Sequence, residues 1–180
     1  RYLDQRKIGN ALQQAVDFGA SYAEVRLVAE TGSSVNLRDG ILENAIPGQE
    51  VGVTLRILAD GAWGVHSTTD IASLPEQIES TVRLAKAVAK RRSSSDKPVK
   101  LAEIPIFQDE IHWRPKKDIR NTDLSTKIDM LKNIADSASD HEKVVSTTCG
   151  WSDEHIHTEL LTSEGMDRVW SFQRSLVRGM

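Results

Sequence analysis

The stretch that decides the fold is Val51-Gly-Val-Thr-Leu-Arg-Ile-Leu-Ala-Asp-Gly-Ala-Trp-Gly64. Every second residue from Val51 to Ile57 is apolar, which is the period of a strand that buries one face. Asp60-Gly61 then supplies the residues that a tight turn with positive φ prefers, and the chain returns through 62–67. We therefore predict an antiparallel hairpin over this stretch.

A second alternating region precedes the first. Every second residue from Ala23 to Ala29 is apolar, the alternation resumes over 35–37, and Asp39-Gly40 marks another tight turn. The run 41–46 returns from this turn, and Pro47-Gly48 is predicted to end the ribbon. Two Asp-Gly turns so close together indicate an antiparallel sheet.

Apolar residues at helical spacing predict three helices. The first spans 3–18, the second begins at an N-cap, Ser73, with Pro75 in its first turn, and the third spans 124–141. Further predicted segments are a polar flexible linker near 93–98, a short extended piece at 104–107, and strands over 144–151, 155–162 and 167–177.

These elements predict an α+β fold, with a largely antiparallel sheet and about three helices packed on it. Strands do not alternate regularly with crossover helices, so a doubly wound parallel sheet is disfavoured. We treat 1–180 as a single domain.

Composition narrows the possible partners. The 23 basic and 26 acidic residues give a formal net charge of -3, which provides no overall attraction to nucleic acid or to an anionic membrane. The cluster Lys90-Arg91-Arg92 is interpreted as the basic end of a helix rather than a phosphate site. The single cysteine, Cys149, indicates a reducing compartment, and we expect a cytoplasmic location without membrane association.

The sequence gives little support for a metal site or for a catalytic nucleophile. His141-Glu142 lacks the second histidine of a helical metallopeptidase motif. His155 and His157 lie two apart on a predicted strand, with Asp153 and Glu154 as possible oxygen ligands. We favour the alternative that both histidines lie on the solvated face of the sheet, and we predict no metal site and no catalytic residue in this chain.

The hairpin over 51–67 carries the candidate contact residues. Trp63 lies between Ala62 and Gly64, so a large ring is flanked by small residues that permit close approach of a peptide or another surface. Arg56 and His66 belong to the same hairpin. We predict peptide or interface contact by Arg56, Trp63, Gly64 and His66.

Several segments in order resemble the N-terminal domain of the TldD/PmbA family. They are Gly19-Ala-Ser-Tyr-Ala-Glu-Val-Arg26, Val51-Gly-Val53, Asp60-Gly-Ala-Trp-Gly64, Ser67-Thr68 and Leu161-Thr-Ser-Glu-Gly165. Members were historically labelled modulators of DNA gyrase and are regarded as zinc-dependent peptidases.

The resemblance implies a larger parent whose C-terminal metallopeptidase-type domain, which carries zinc in TldD-type subunits, is absent from this chain. It also implies peptide or unfolded-protein substrates, and a homodimer or a TldD/PmbA-type heterodimer. We therefore expect a non-catalytic domain that shapes a substrate chamber or a subunit interface. The alternative is a stand-alone peptide- or protein-binding module that uses a sheet edge.

Overall fold

The computed structural model describes residues 1–93 and 97–180. The elements in chain order are α1 (Gln5–Asp17), β1 (Tyr22–Arg38), β2 (Ile41–Ala59), β3 (Ala62–Thr68), α2 (Ile78–Arg91), β4 (Gln108–His112), α3 (Leu124–Ser139), β5 (Thr148–Thr162) and β6 (Asp167–Gly179). The strands form a six-stranded sheet in the order β3-β2-β1-β5-β6-β4. The predicted α+β fold, with a mostly antiparallel sheet and three helices, is confirmed.

Both Asp-Gly turns have the predicted backbone conformation. Asp39 and Asp60 have φ values of 51° and 52°, and the glycines that follow them have 74° and 72°. Aspartate and glycine tolerate this left-handed region better than bulky residues do. The second turn joins β2 to β3 in antiparallel register, from Ala59 opposite Ala62 to Val53 opposite Thr68.

The prediction that Pro47-Gly48 ends the ribbon is wrong, because β2 continues through both residues. β3 pairs with β2 over Val53–Ala59, so no described strand lies on that side of residues 41–52. A proline is tolerated on such an edge, where its missing N–H removes no ladder hydrogen bond.

Other boundaries also differ from the prediction. The runs 144–151 and 155–162 are not two strands: one strand, β5, begins at Thr148 and continues through 152–154 to Thr162, and 144–147 precede it. The extended piece at 104–107 precedes β4 without being part of it. The second helix does not begin at Ser73: the side chain of Asp70 accepts the N–H of Ala72 and caps a 3-10 helix, Ile71–Gln77, and α2 follows with Gln77 as its N-cap. Residues 94–96, the centre of the predicted linker, lie outside the described residues.

The chain forms two compact units, each assembled from separate segments. The first contains 1–28, 51–111 and 158–170, and the second contains 29–50, 112–157 and 171–180. β1, β2, β5 and β6 each contribute a segment to both units. No helix in the described part of the chain is long and apolar enough to cross a membrane.

In the first unit, α1 and α2 pack together and α2 covers β3. Gly64 permits this packing: a Cβ there would lie 2.3 Å from the carbonyl oxygen of Thr81 on α2. The buried carboxylate of Glu159 accepts the backbone N–H groups of Tyr2 and Leu3 at 2.6 and 3.2 Å. This contact holds the residues before α1 against β5.

In the second unit, α3 packs on segments of β1 and β5. The core cluster of this unit consists of Val35, Leu37, Leu131, Ala135 and Cys149, with Ala45, Leu124, Ile128 and Trp151 packed around it. The apolar stripe predicted for α3 therefore faces the sheet, and Cys149 acts as a small buried hydrophobe.

Candidate functional site

A cleft of about 640 Å³ lies within the second unit, beside the start of α3. Its volume falls in the range of roughly 300–1,000 Å³ that is typical of ligand sites. It is lined by residues of β1, β2, β5, α3 and the turn before α3: Thr31, Gly32, Ser33, Pro47, Gly48, Gln49, Ile119, Arg120, Thr122, Leu124, Lys127 and Asp153.

A buried ion pair forms part of the cleft wall. Lys127 Nζ on α3 lies 2.7 Å from Asp153 Oδ2 on β5, and the two side chains are 6% and 2% exposed. Lys127 Nζ also donates to Ser33 Oγ on β1 at 2.9 Å. Because water is largely excluded, each charge depends on the other for its stabilisation.

The Asp153 carboxylate also accepts three further hydrogen bonds. Ser33 donates to Oδ1 through its backbone N–H at 2.9 Å and its hydroxyl at 3.1 Å, and the indole N–H of Trp151 donates to Oδ2 at 2.5 Å. Gly32 allows this approach of β1 to β5, since a Cβ there would lie 2.1 Å from the Asp153 carbonyl oxygen.

The charged groups of this cluster are already paired with each other. Activation of a serine nucleophile requires a neighbouring base with a free lone pair. The ammonium group of Lys127 is paired with Asp153, and the Ser33 hydroxyl already donates to the same carboxylate. The cluster therefore positions α3 over the sheet segment and supplies a polar wall to the cleft.

The cleft also adjoins the unpaired edge of β2. Pro47, Gly48 and Gln49 line it and belong to residues 41–52, which have no described strand on the β3 side. A Cβ added at Gly48 would meet nothing within 4 Å. The edge is thus accessible at the cleft.

An arginine and a histidine lie near the turn that precedes α3. Arg120 pairs with Asp118 at 2.6 Å, and its hydrogen bonds lower the pKa of the Asp118 carboxyl to about 2. Burial lowers the pKa of His155, the positive charge of Arg120 lowers it further, and Asp118 opposes these effects. His155 is therefore biased toward its neutral form.

No group of three or more histidine, cysteine, aspartate or glutamate side chains among residues 1–93 and 97–180 is placed to hold a metal ion. His155 has a neighbouring cation, Arg120, which disfavours a second positive charge at that position. The described residues do not fit a metal centre, and we assign no metal-dependent step to them.

The four predicted contact residues lie in the first unit on two faces of the β2–β3 hairpin. Arg56 and Trp63 share one face, with the Arg56 guanidinium 4.4 Å from the centre of the Trp63 ring. Gly64 is buried under α2, and His66 is on the same face as Gly64, opposite Leu55. The structure thus brings together two of the four, and their role as contact residues stays a prediction.

Arg56 and Trp63 are held in a local network. Arg56 pairs with Glu24 at 2.9 Å, and the Tyr22 hydroxyl donates to the same carboxylate at 2.6 Å. The Tyr22 and Trp63 rings meet edge to face, with centroids 6.0 Å apart. Burial and the neighbouring Glu24 carboxylate raise the pKa of the Tyr22 hydroxyl, which stays protonated at neutral pH.

Sequence reasoning missed the cleft and its ion pair. One signal was present: Lys127 lies among the apolar residues of α3, between Leu124 and Leu131. A lysine in such a stripe requires a buried acid, and Asp153, which we considered above as a metal ligand, is that acid.

Comparisons with known proteins agree with this architecture. Residues 23–89 match the family model described as PmbA/TldA metallopeptidase domain 1. A Methanocaldococcus jannaschii protein named metalloprotease is 29% identical over 149 residues, covering 80% of this chain and 32% of that protein. A Methanothermobacter thermautotrophicus metalloprotease is 25% identical over 163 residues, or 91% of this chain and 34% of that protein.

Solved structures show the same fold. A proposed modulator of DNA gyrase from Bacteroides thetaiotaomicron superposes with a TM-score of 0.75 at 20% identity, over 99% of this chain and 41% of that one. TldE from Thermococcus kodakarensis superposes with a TM-score of 0.63 at 18% identity, over 95% and 38%.

The chain thus spans about a third of the length of the curated relatives that it matches. The resemblance to the TldD/PmbA family that the sequence suggested is confirmed, and residues 23–89 are the part of this chain that matches domain 1 of that metallopeptidase family.

Proposed function

We propose that this domain is a non-catalytic part of a metallopeptidase and that its cleft holds an extended peptide segment of the substrate. The observation that carries the proposal is the position of a 640 Å³ cleft beside the unpaired edge of β2. A peptide can add to such an edge as a further strand, with its backbone supplying the hydrogen bonds and the cleft receiving side chains.

The lining of the cleft suits this role. Thr31, Gln49 and Thr122 offer uncharged polar side chains, and Pro47 and Leu124 offer apolar contact. Lys127 and Asp153 neutralise each other, and Arg120 is paired with Asp118, so the wall imposes no strong charge preference. Peptides of varied sequence would be accepted through their backbone.

The same edge also suits pairing with a second protein chain, which would make this surface a subunit interface. Pairing of two copies of the chain increases with protein concentration, whereas peptide binding by one chain needs no second copy. The test therefore includes the mass of the protein in solution, measured by light scattering with and without peptide.

The experiment measures binding of short fluorescein-labelled unstructured peptides to the 180-residue chain by fluorescence anisotropy. Gly48→Trp places a bulky group where a Cβ meets nothing within 4 Å, so the fold should persist while the space beside the edge is filled. We expect the affinity to fall about tenfold or more, as at a contact in the centre of a binding site.

Gly9→Trp is the matched control. Gly9 lies on α1, is exposed, also has nothing within 4 Å of an added Cβ, and belongs neither to the cleft lining nor to the edge 41–52. The proposal requires this variant to bind peptide like the parent chain. It is overturned if both variants bind equally, if the parent binds no peptide, or if the parent is a dimer that Gly48→Trp dissociates without any change in peptide binding.

A further inference from the structure

A second surface of the second unit carries an exposed aromatic ring among unpaired cations. It is the segment Trp113–Arg120, which we call the basic strap. The Trp113 side chain is 72% exposed, although tryptophan is among the most buried residue types on average. Arg114, Lys116 and Lys117 are exposed as well.

Both ends of the basic strap are fixed to β6. The Trp113 N–H donates to the Ser171 carbonyl oxygen at 2.9 Å. At the other end, the Gln173 side chain donates to the Lys117 carbonyl oxygen at 2.7 Å and accepts the Ile119 N–H at 3.1 Å. The strap is thus a tethered segment whose exposed side chains have a defined location.

The charges of the basic strap are not balanced locally. Asp118 is its single acid, and this carboxylate is held by Arg120 at 2.6 Å. Within residues 1–93 and 97–180, Arg114, Lys116 and Lys117 form no ion pair with an acid. Three positive charges around an exposed indole favour an anionic partner.

The end of β6 adds an unpaired strand edge. β4 is its neighbour on the outer side, and β4 ends at His112. No described strand therefore lies beside residues 174–179 on that side, where Leu176 and Val177 are 58% and 44% exposed. A strand edge with apolar side chains pairs with extended peptides, a mode that nucleic acid cannot use.

We propose that the basic strap and the free edge of β6 bind an acidic, extended peptide segment. The peptide backbone pairs with residues 174–179, its carboxylates contact Arg114, Lys116 and Lys117, and an apolar side chain packs on Trp113. This surface adjoins the cleft, because Ile119 and Arg120 at the end of the basic strap line the cleft. The proposed peptide contacts, at Trp113, Arg114, Lys116, Lys117 and 174–179, lie outside the cleft lining.

The test uses a fluorescein-labelled peptide rich in Asp and Glu, and the 180-residue chain at low ionic strength. Lys116→Glu/Lys117→Glu should weaken binding about tenfold or more, because two attractive charges become repulsive. Trp113→Ala should weaken it about tenfold, as expected of an aromatic anchor. Circular dichroism checks that these surface variants keep the fold.

Lys90→Glu/Arg91→Glu is the matched control, since it changes the net charge equally at the exposed end of α2. We expect this variant to bind the acidic peptide like the parent chain. The proposal is overturned if both charge-reversal variants lose binding equally, if the parent does not bind the peptide, or if a single-stranded oligonucleotide of equal charge binds more tightly than the peptide.

Discussion

Replacing Lys127 by methionine tests the buried ion pair that forms the wall of the cleft. The substitution keeps most of the side-chain volume but removes the ammonium group, whose contacts with Asp153 and Ser33 span 2.7 and 2.9 Å. Asp153, with a side chain 2% exposed, is then left without a compensating charge.

Breaking a buried pair by removing one partner costs roughly 3–5 kcal/mol. Asp153 keeps three donors, two from Ser33 and one from Trp151. We therefore expect the lower end of that range, about 3 kcal/mol, in the free energy of unfolding measured with urea.

Two further variants test whether the loss of stability comes from the broken ion pair. Lys132→Met removes an exposed lysine from the same helix and should change stability by about 0.5 kcal/mol or less. In Lys127→Met/Asp153→Asn the unpaired carboxylate is gone, so the loss should be smaller than the sum of the single variants by about 1 kcal/mol or more. Equal losses for Lys127→Met and Lys132→Met, or additive losses in the double variant, would refute the assignment.

Three other measurements address packing and titration. Gly32→Ala should cost about 1–3 kcal/mol, because its Cβ would lie 2.1 Å from the Asp153 carbonyl oxygen, whereas Gly52→Ala should be close to neutral in the same urea titration. Leu131→Ala, in the core of the second unit, should cost about 3 kcal/mol, and a loss under about 1 kcal/mol would contradict its burial. The lowered pKa of His155 means that the unfolded chain binds more protons below about pH 6.5, so stability falls as pH falls through this window. His155→Gln should flatten that dependence, and an unchanged slope would contradict it.

The local pattern of the sequence was sufficient for most of the fold. The alternation of apolar and polar residues in 23–29 and 51–57 determines which face of the sheet is buried. The two Asp-Gly turns form largely because aspartate and glycine accept a positive φ. Errors arose where tertiary context overrides local preference. Pro47 would interrupt a central ladder but is tolerated on a free edge.

The continuity of β5 is a second feature that the local sequence pattern did not predict. The polar residues 152–154 separate the two runs predicted for this strand, and polarity is typical of loops. Asp153 is nevertheless buried within the strand because Lys127 neutralises it. That partner lies on α3, so local periodicity does not reveal the pairing.

The two candidate sites also differ in whether local sequence predicts them. The closeness of Arg56 and Trp63 follows from the hairpin register, which the Asp60-Gly61 turn fixes. The cleft requires β1, β2, β5 and the start of α3 to meet, and this arrangement is a property of the tertiary fold.

Amide hydrogen exchange along β2 tests the central claim most directly. Binding of an unstructured peptide should slow exchange within 41–52, where amides on the unpaired edge gain partners, while amides of 53–59 that already pair with β3 change little. Protection confined to β3, or no protection in 41–52 at saturating peptide, would contradict the claim that this edge holds the substrate.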